Sequence, residues 1–130
     1  MSGIDWPALK SAALAVQARA YVPYSDYRVG AALLTSGGQI IAGCNVENAT
    51  FGATCCAERN AVFSAVTQGH QAFRAVAVAT NGAEPGAPCG ICRQVLAEFG
   101  SDLEVLCFTP EGAEKRYLLS ELLPHAFKLK

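Results

Sequence analysis

The chain has 130 residues, enough for one domain with a core of its own and no need of disulfide staples. A formal net charge of −1, with 16% charged residues and no run of like charge, excludes the basic footprint of a polynucleotide binder. Hydrophobic residues make up 52%, much of the excess alanine and valine, which favours a subunit interface over tight internal packing alone.

The first segment, MSGIDWPALK, has no charged stretch followed by an apolar core, so no signal peptide is expected. Asp5 suits a helix N-cap ahead of Trp6-Pro7, and Trp6, Leu9, Ala13, Val16 and Ala20 continue a helical spacing to about Ala20. Pro23 closes that helix, and YVPYSDY reads as a loop. VGAALL and QIIAGCN flank SGG and predict two paired strands around a glycine turn. NVENATFGAT is irregular, and a second helix should run from about Cys56 to Gln68, with Gly69 as its stop. FRAVAVAT is a buried strand, NGAEPGAP a loop of turn formers, and Cys89 to Phe99 a third helix ended by Gly100. LEVLCF is another buried strand. PEG then turns the chain into a strand KRYLL, and Ser120 is placed to cap a short final helix, ELL. No linker, repeat or membrane-length apolar stretch interrupts this order, so residues 1–130 read as a single α/β domain: one sheet with helices on its faces.

A chain of this kind belongs by default in the cytoplasm. There six cysteines, Cys44, Cys55, Cys56, Cys89, Cys92 and Cys107, argue for metal or catalysis more than for disulfides. Cys44 and Cys107 fall in predicted strands and read as core. The others form two clusters, TCCAERNA and PCGIC, each at a predicted helix start. Residues i and i+3 of a helix start share a side, so Cys89 and Cys92 can close on one ion. A third thiolate from Cys56 leaves tetrahedral zinc one open position, the catalytic arrangement, whereas structural sites are closed by four ligands. Cys55 is the alternative third ligand, but Glu58 would then stand three residues on rather than two. Mid-helix, side chains two apart diverge, so Cys56 and Glu58 can share a site only if the helix begins at about Cys55 or Cys56.

The pattern C-x-E…P-C-x-x-C resembles the zinc deaminase signature, whose glutamate is the general acid/base and not a ligand. A lone CxxC is equally a redox pair or half of a structural zinc site; the accompanying Cys56-x-Glu58 and Pro88 carry the likeness. YVPYSDYRVGAAL, GCNVENATFG, CCAERNAVFSAV, PCGICRQVLAEFG and ELLPHAF extend it over most of the chain, which is similar to the small homotetrameric, three-cysteine cytidine deaminases.

That resemblance implies a mixed sheet of about five strands in an α/β/α sandwich, one Zn2+ per subunit on Cys56, Cys89 and Cys92, and a small-molecule nucleoside substrate. No nucleic-acid or membrane partner is implied. It implies hydrolytic deamination of cytidine and deoxycytidine in pyrimidine salvage, with zinc-bound hydroxide attacking C4 and Glu58 shuttling protons. Three thiolates make zinc a net −1 centre; two helix N-termini and Arg59, as a donor to ligand sulfur, would offset this. Asn45 and Glu47 match the family's N-x-E, which hydrogen-bonds the ribose hydroxyls. Tyr27 aligns with the aromatic residue against the pyrimidine, and backbone groups around Ala57 and Pro88-Cys89 would read the base. Phe51 and Phe127 correspond to residues that approach a neighbouring subunit's site. Tyr24 reads as structural and His125 as a surface or interface residue. The rivals are another small-substrate deaminase, such as one resembling blasticidin-S deaminase, and a non-catalytic zinc module. Intact N-V-E-N favours a cytidine-like ribose over the first, and the second has no need of Glu58.

Overall fold

The computed structural model describes residues 3–129, so the expected domain limits at 1 and 130, and the first two residues of MSGIDWPALK, lie outside the described residues. Helix α1 spans Trp6–Gln17, strand β1 Val29–Thr35, β2 Ile40–Cys44, α2 Ala57–Thr67, β3 Phe73–Thr80, α3 Gly90–Ala97, β4 Glu104–Phe108, β5 Glu114–Leu118 and α4 Leu119–Leu122. The sheet order is β2-β1-β3-β4-β5; β3 and β4 pair parallel through the α3 crossover, and every other pair is antiparallel. This is the expected five-stranded mixed sheet in an α/β/α sandwich. No helix among the described residues is long and apolar enough to cross a membrane.

Strand alternation explains the layers. Val29, Ala31, Leu33, Val76, Val78, Val105 and Cys107 turn toward one face and pack with Ala57, Ala61, Val62 and Ala65 of α2, Leu96 of α3 and Leu119 of α4. Ala32, Leu34, Ala75, Ala77, Ala79, Leu106 and Phe108 turn to the other, against Leu9 and Ala13 of α1. Alternating burial on both faces is why β1 and β3 read as continuous apolar runs. Full burial of Leu9 alone contributes on the order of 2 kcal/mol. At the outer edge, β5 carries Glu114, Lys115 and Arg116, charges that discourage further strand pairing.

The inner face of β2 sits directly on α2. A Cβ at Gly43 would run into the backbone nitrogen of Ala61 and lie 2.8 Å from the carbonyl oxygen of Ala57. Backbone cannot turn aside as a side chain can, so Gly43→Ala should lower unfolding free energy by about 2 kcal/mol or more, read as an earlier urea midpoint. An unchanged midpoint would show that α2 stands off the sheet.

Two sequence expectations are corrected. The first helix stops at Gln17 rather than about Ala20, because Arg28 takes the carbonyls of Ala18 (3.4 Å) and Ala20 (2.7 Å) and the Tyr21 amide donates to the Asn45 carbonyl. Ser120 is not a cap: it lies inside α4, and the Glu121 carboxylate accepts from the Leu118 amide at 2.7 Å instead. Within NVENATFGAT, Phe51–Ala53 also form one turn of 3-10 helix.

Candidate active site

Two helix N-termini converge at the sheet end where Val29 of β1 pairs with Thr80 of β3. Cys56 is the N-cap of α2 and Cys89 that of α3; both have extended backbone, and neither side chain is used in a capping hydrogen bond. Their sulfurs lie 3.8 Å apart. Buried Cys92, the third residue of α3, brings the third sulfur, and all three lie within 4.8 Å of one another. Zinc–thiolate bonds of about 2.3 Å in tetrahedral geometry separate sulfurs by about 3.8 Å, so the cluster fits a zinc ion with a further position free. All six cysteines are free thiols. A hydrogen bond from Cys92 draws the Cys56 thiol below its ordinary range, while the same contact and burial push Cys92 up.

Glu58 stands in the first turn of α2 and is only 5% exposed. A first-turn glutamate serving the helix dipole alone would stay in water. Burial pushes its carboxyl up to about 7; its own backbone amide and Arg59 oppose that shift, and Cys56 adds to it. The expected helix start holds: with Cys56 at the cap and Ala57 the first helical residue, both side chains lean around the helix end. Arg59 Nη2 donates to Cys56 Sγ at 3.4 Å, and its Nε is buried with no hydrogen-bond partner among the described residues. The bond to Cys56 holds the guanidinium pKa above its ordinary range.

Cys56, Cys89 and Glu58 open on a cavity of about 170 Å³ that is also lined by Tyr27, Val29, Asn45, Ala57, Val78, Thr80, Gly86 and Ala87. The volume suits a single heterocyclic ring. Asn45 is buried at its edge, where its Oδ1 accepts from the Val29 amide (3.0 Å) and its Nδ2 donates to the Tyr27 carbonyl (2.8 Å). An open hollow of about 810 Å³ lies elsewhere, beside the end of α3 and residues 127–129. It is larger, but no metal-ligating cluster gathers there among the described residues, so chemistry and not size marks the reactive site.

A family model described as the cytidine and deoxycytidylate deaminase zinc-binding region matches residues 7–108. The chain belongs to this deaminase family. It is an enzyme of the cytidine deaminase type, 48% identical over 116 residues to the cytidine deaminase of Halalkalibacterium halodurans, covering 87% of this chain and 88% of that protein. The cytidine deaminase of Mycobacterium tuberculosis is 41% identical over 129 residues, 99% of this chain and 94% of its own. A crystal structure of the cytidine deaminase from Burkholderia pseudomallei matches with a TM-score of 0.91 at 46% identity, covering 95% of this chain and all of that one.

Within the deaminase frame, the structure brings Tyr27, Asn45, Ala57, Cys56, Cys89 and Glu58 to one cavity, with Cys92 behind it. It does not bring Glu47 there. That carboxylate accepts from the amides of Tyr24 (3.0 Å) and Ser25 (3.2 Å) and from the Ser25 hydroxyl, in another hollow shared with Phe51 and Thr54. Ser25 holds its carboxyl below the usual range. Phe51 (76% exposed) and Phe127 (68%) project into solvent, the first edge-on to Tyr24, the second with its backbone held by the Gln94 amide. His125 is exposed. Cys55 stays out of the sulfur cluster, and burial raises its thiol pKa. Burial pushes Cys107 up to about 12, an inert core thiol, and Cys44 is half-buried at the end of β2. Thr80, Gly86 and Arg93 were not singled out from the sequence. Arg93 Nε donates to the Pro88 carbonyl (2.8 Å) and its Nη1 to that of Leu122 (3.0 Å), tying the Cys89 loop to α4. The one local signal for Thr80 is a hydroxyl ending the apolar run Ala75–Ala79 of β3.

Proposed function

We propose that the enzyme replaces the 4-amino group of cytidine and deoxycytidine with oxygen from water, giving uridine or deoxyuridine and ammonia, as a step of pyrimidine salvage in the cytoplasm. The observation that carries this reading is Glu58: a carboxyl buried in the wall of the cavity that also bears Cys56 and Cys89. Cys56, Cys89 and Cys92 hold one Zn2+ per subunit, which when bound supplies a Lewis acid that brings the pKa of water toward neutrality. Glu58 accepts the proton from the attacking water, donates it to N3 of the pyrimidine, and later moves the proton of the new C4 hydroxyl to the departing amino group, which leaves as ammonia while the C4 carbonyl forms. One carboxylate can serve all three transfers because burial among Ala57, Val78 and the sulfurs keeps competing water away.

Tyr27 packs against the pyrimidine ring, backbone around Ala57 and Cys89 reads the base, and Asn45 with Glu47 faces the ribose hydroxyls. The lone pair and hydrogen that Asn45 keeps beyond its two backbone bonds support its share. Arg59 stabilises the sulfur cluster through Cys56. Residues 1–130 act as a single catalytic domain, four copies assemble, and Phe51 and Phe127 approach a neighbour's site. The exposure of Phe51, Phe63, Ile91 and Phe127 supports assembly.

The test is a panel of aminopyrimidine nucleosides given to zinc-loaded protein, with product and ammonia both measured. Cytidine and deoxycytidine should each release one ammonia per product, and light scattering should give the mass of four chains. Fully zinc-loaded protein that leaves the whole panel untouched would end the enzyme reading of this cavity.

A further inference from the structure

Gly86 lies in the loop between β3 and α3 and lines the cavity. A Cβ built on it would stand 2.6 Å from the Tyr27 hydroxyl oxygen and 3.3 Å from Thr80 Cγ2. Its φ is not in the left-handed region, so the backbone would accept another residue. What excludes a side chain is the tyrosine.

The surrounding bonds decide which partner would yield. The loop is pinned: the Gly86 amide donates to Thr80 Oγ1 at 3.1 Å, Thr80 is itself buried, and Asn81 Nδ2 donates to the Asp26 carbonyl at 3.2 Å. The Tyr27 backbone is pinned as well, its amide donating to Ser25 Oγ (3.0 Å) and its carbonyl accepting from Asn45 Nδ2 (2.8 Å). The residue is 41% exposed, and its ring is the part left to move. A methyl at position 86 would therefore displace the ring and leave the fold in place.

We propose that Gly86 is a positioning residue for substrate: its bare backbone seats the Tyr27 hydroxyl and so fixes the ring as a wall of the cavity that contains Glu58. The inference rests on the deaminase reading of that cavity. A displaced wall loosens the hold on the base without touching the groups that move protons, so the cost falls on KM.

The experiment compares wild type, Gly86→Ala, Tyr27→Phe and the double variant, each zinc-loaded, in steady-state turnover of cytidine. Gly86→Ala should raise KM about tenfold with kcat within about twofold and zinc content unchanged. In the Tyr27→Phe background the same substitution should change KM by less than about twofold, because the oxygen it meets is gone. A KM within about twofold of wild type for Gly86→Ala, or an equal factor in both backgrounds, overturns the proposal. Should Gly86→Ala alone fail to fold, a folded and active double variant supports the seat, and a double variant that also fails refutes it. A wild type that leaves cytidine untouched sinks the deaminase reading alone. The Tyr27 ring resonances of tyrosine-labelled protein then decide: Gly86→Ala must shift them, and unshifted resonances refute the seat.

Discussion

Replacing Glu58 with alanine should lower kcat/KM for cytidine by about 10³ to 10⁴-fold while the zinc content, measured on the same preparation, stays at the wild-type level. The two readouts part because Glu58 touches the cavity and not the sulfur cluster: the three sulfurs that fit the ion come from Cys56, Cys89 and Cys92. Loss of fold does not confuse the result. The carboxyl is buried and raised to about 7 because its environment disfavours the charge, so removing it relieves a desolvation cost rather than breaking an ion pair. Glu58→Gln tests the same point at constant volume; it keeps the shape, cannot take a proton, and should fall nearly as far. A non-catalytic zinc module would show no turnover in either form. Activity within about tenfold of wild type in the alanine variant would remove Glu58 from the proton path.

That residue was legible from the sequence for a reason that does not extend to its neighbours. Cys56, Glu58, Cys89 and Cys92 are placed by helix starts, and a helix start is a local event: the chemistry of four or five consecutive residues settles which side chains lean together. The glycine turn between β1 and β2 and the valine-rich β3 are local in the same sense. Where the reading failed, a group outside the pattern being read had intervened. The α1 spacing runs on through Ala20, but Arg28 and the Asn45 carbonyl claim that stretch. Ser120 has the right chemistry for a cap and is displaced by Glu121, one residue on. Asn45 and Glu47 stand two residues apart in N-x-E yet line different hollows, a separation that three consecutive residues do not announce. Gly86 and Thr80 carried no signal strong enough to be singled out, since Gly86 matters through its close approach to the distant Tyr27 hydroxyl and Thr80 through its bond to the Gly86 amide.

The second large effect belongs to Cys92. Cys92→Ala should abolish stoichiometric zinc binding under chelator challenge, and turnover should vanish with it. Arg59→Gln should cause a graded loss of zinc affinity and activity together, about 10 to 100-fold. The two differ because of what each group does. Cys92 is fully buried, one of three sulfurs in the cluster, and no other thiol among the described residues is placed to replace it: Cys55 lies outside the group and Cys107 is an inert core thiol. Removing it leaves two sulfurs on the surfaces of two helix caps and drops the ligand count below what tetrahedral zinc requires for tight binding. Arg59 touches the sulfur of Cys56 at 3.4 Å and adds no ligand. Its charge, with the two helix N-termini, offsets the negative charge that three thiolates place on the site. Losing it leaves the ligand set whole and less well balanced. A Cys92→Ala protein that keeps full zinc would show that the third sulfur is another cysteine. Unchanged kinetics with full zinc in Arg59→Gln would show that the guanidinium is a surface charge that happens to lie beside Cys56.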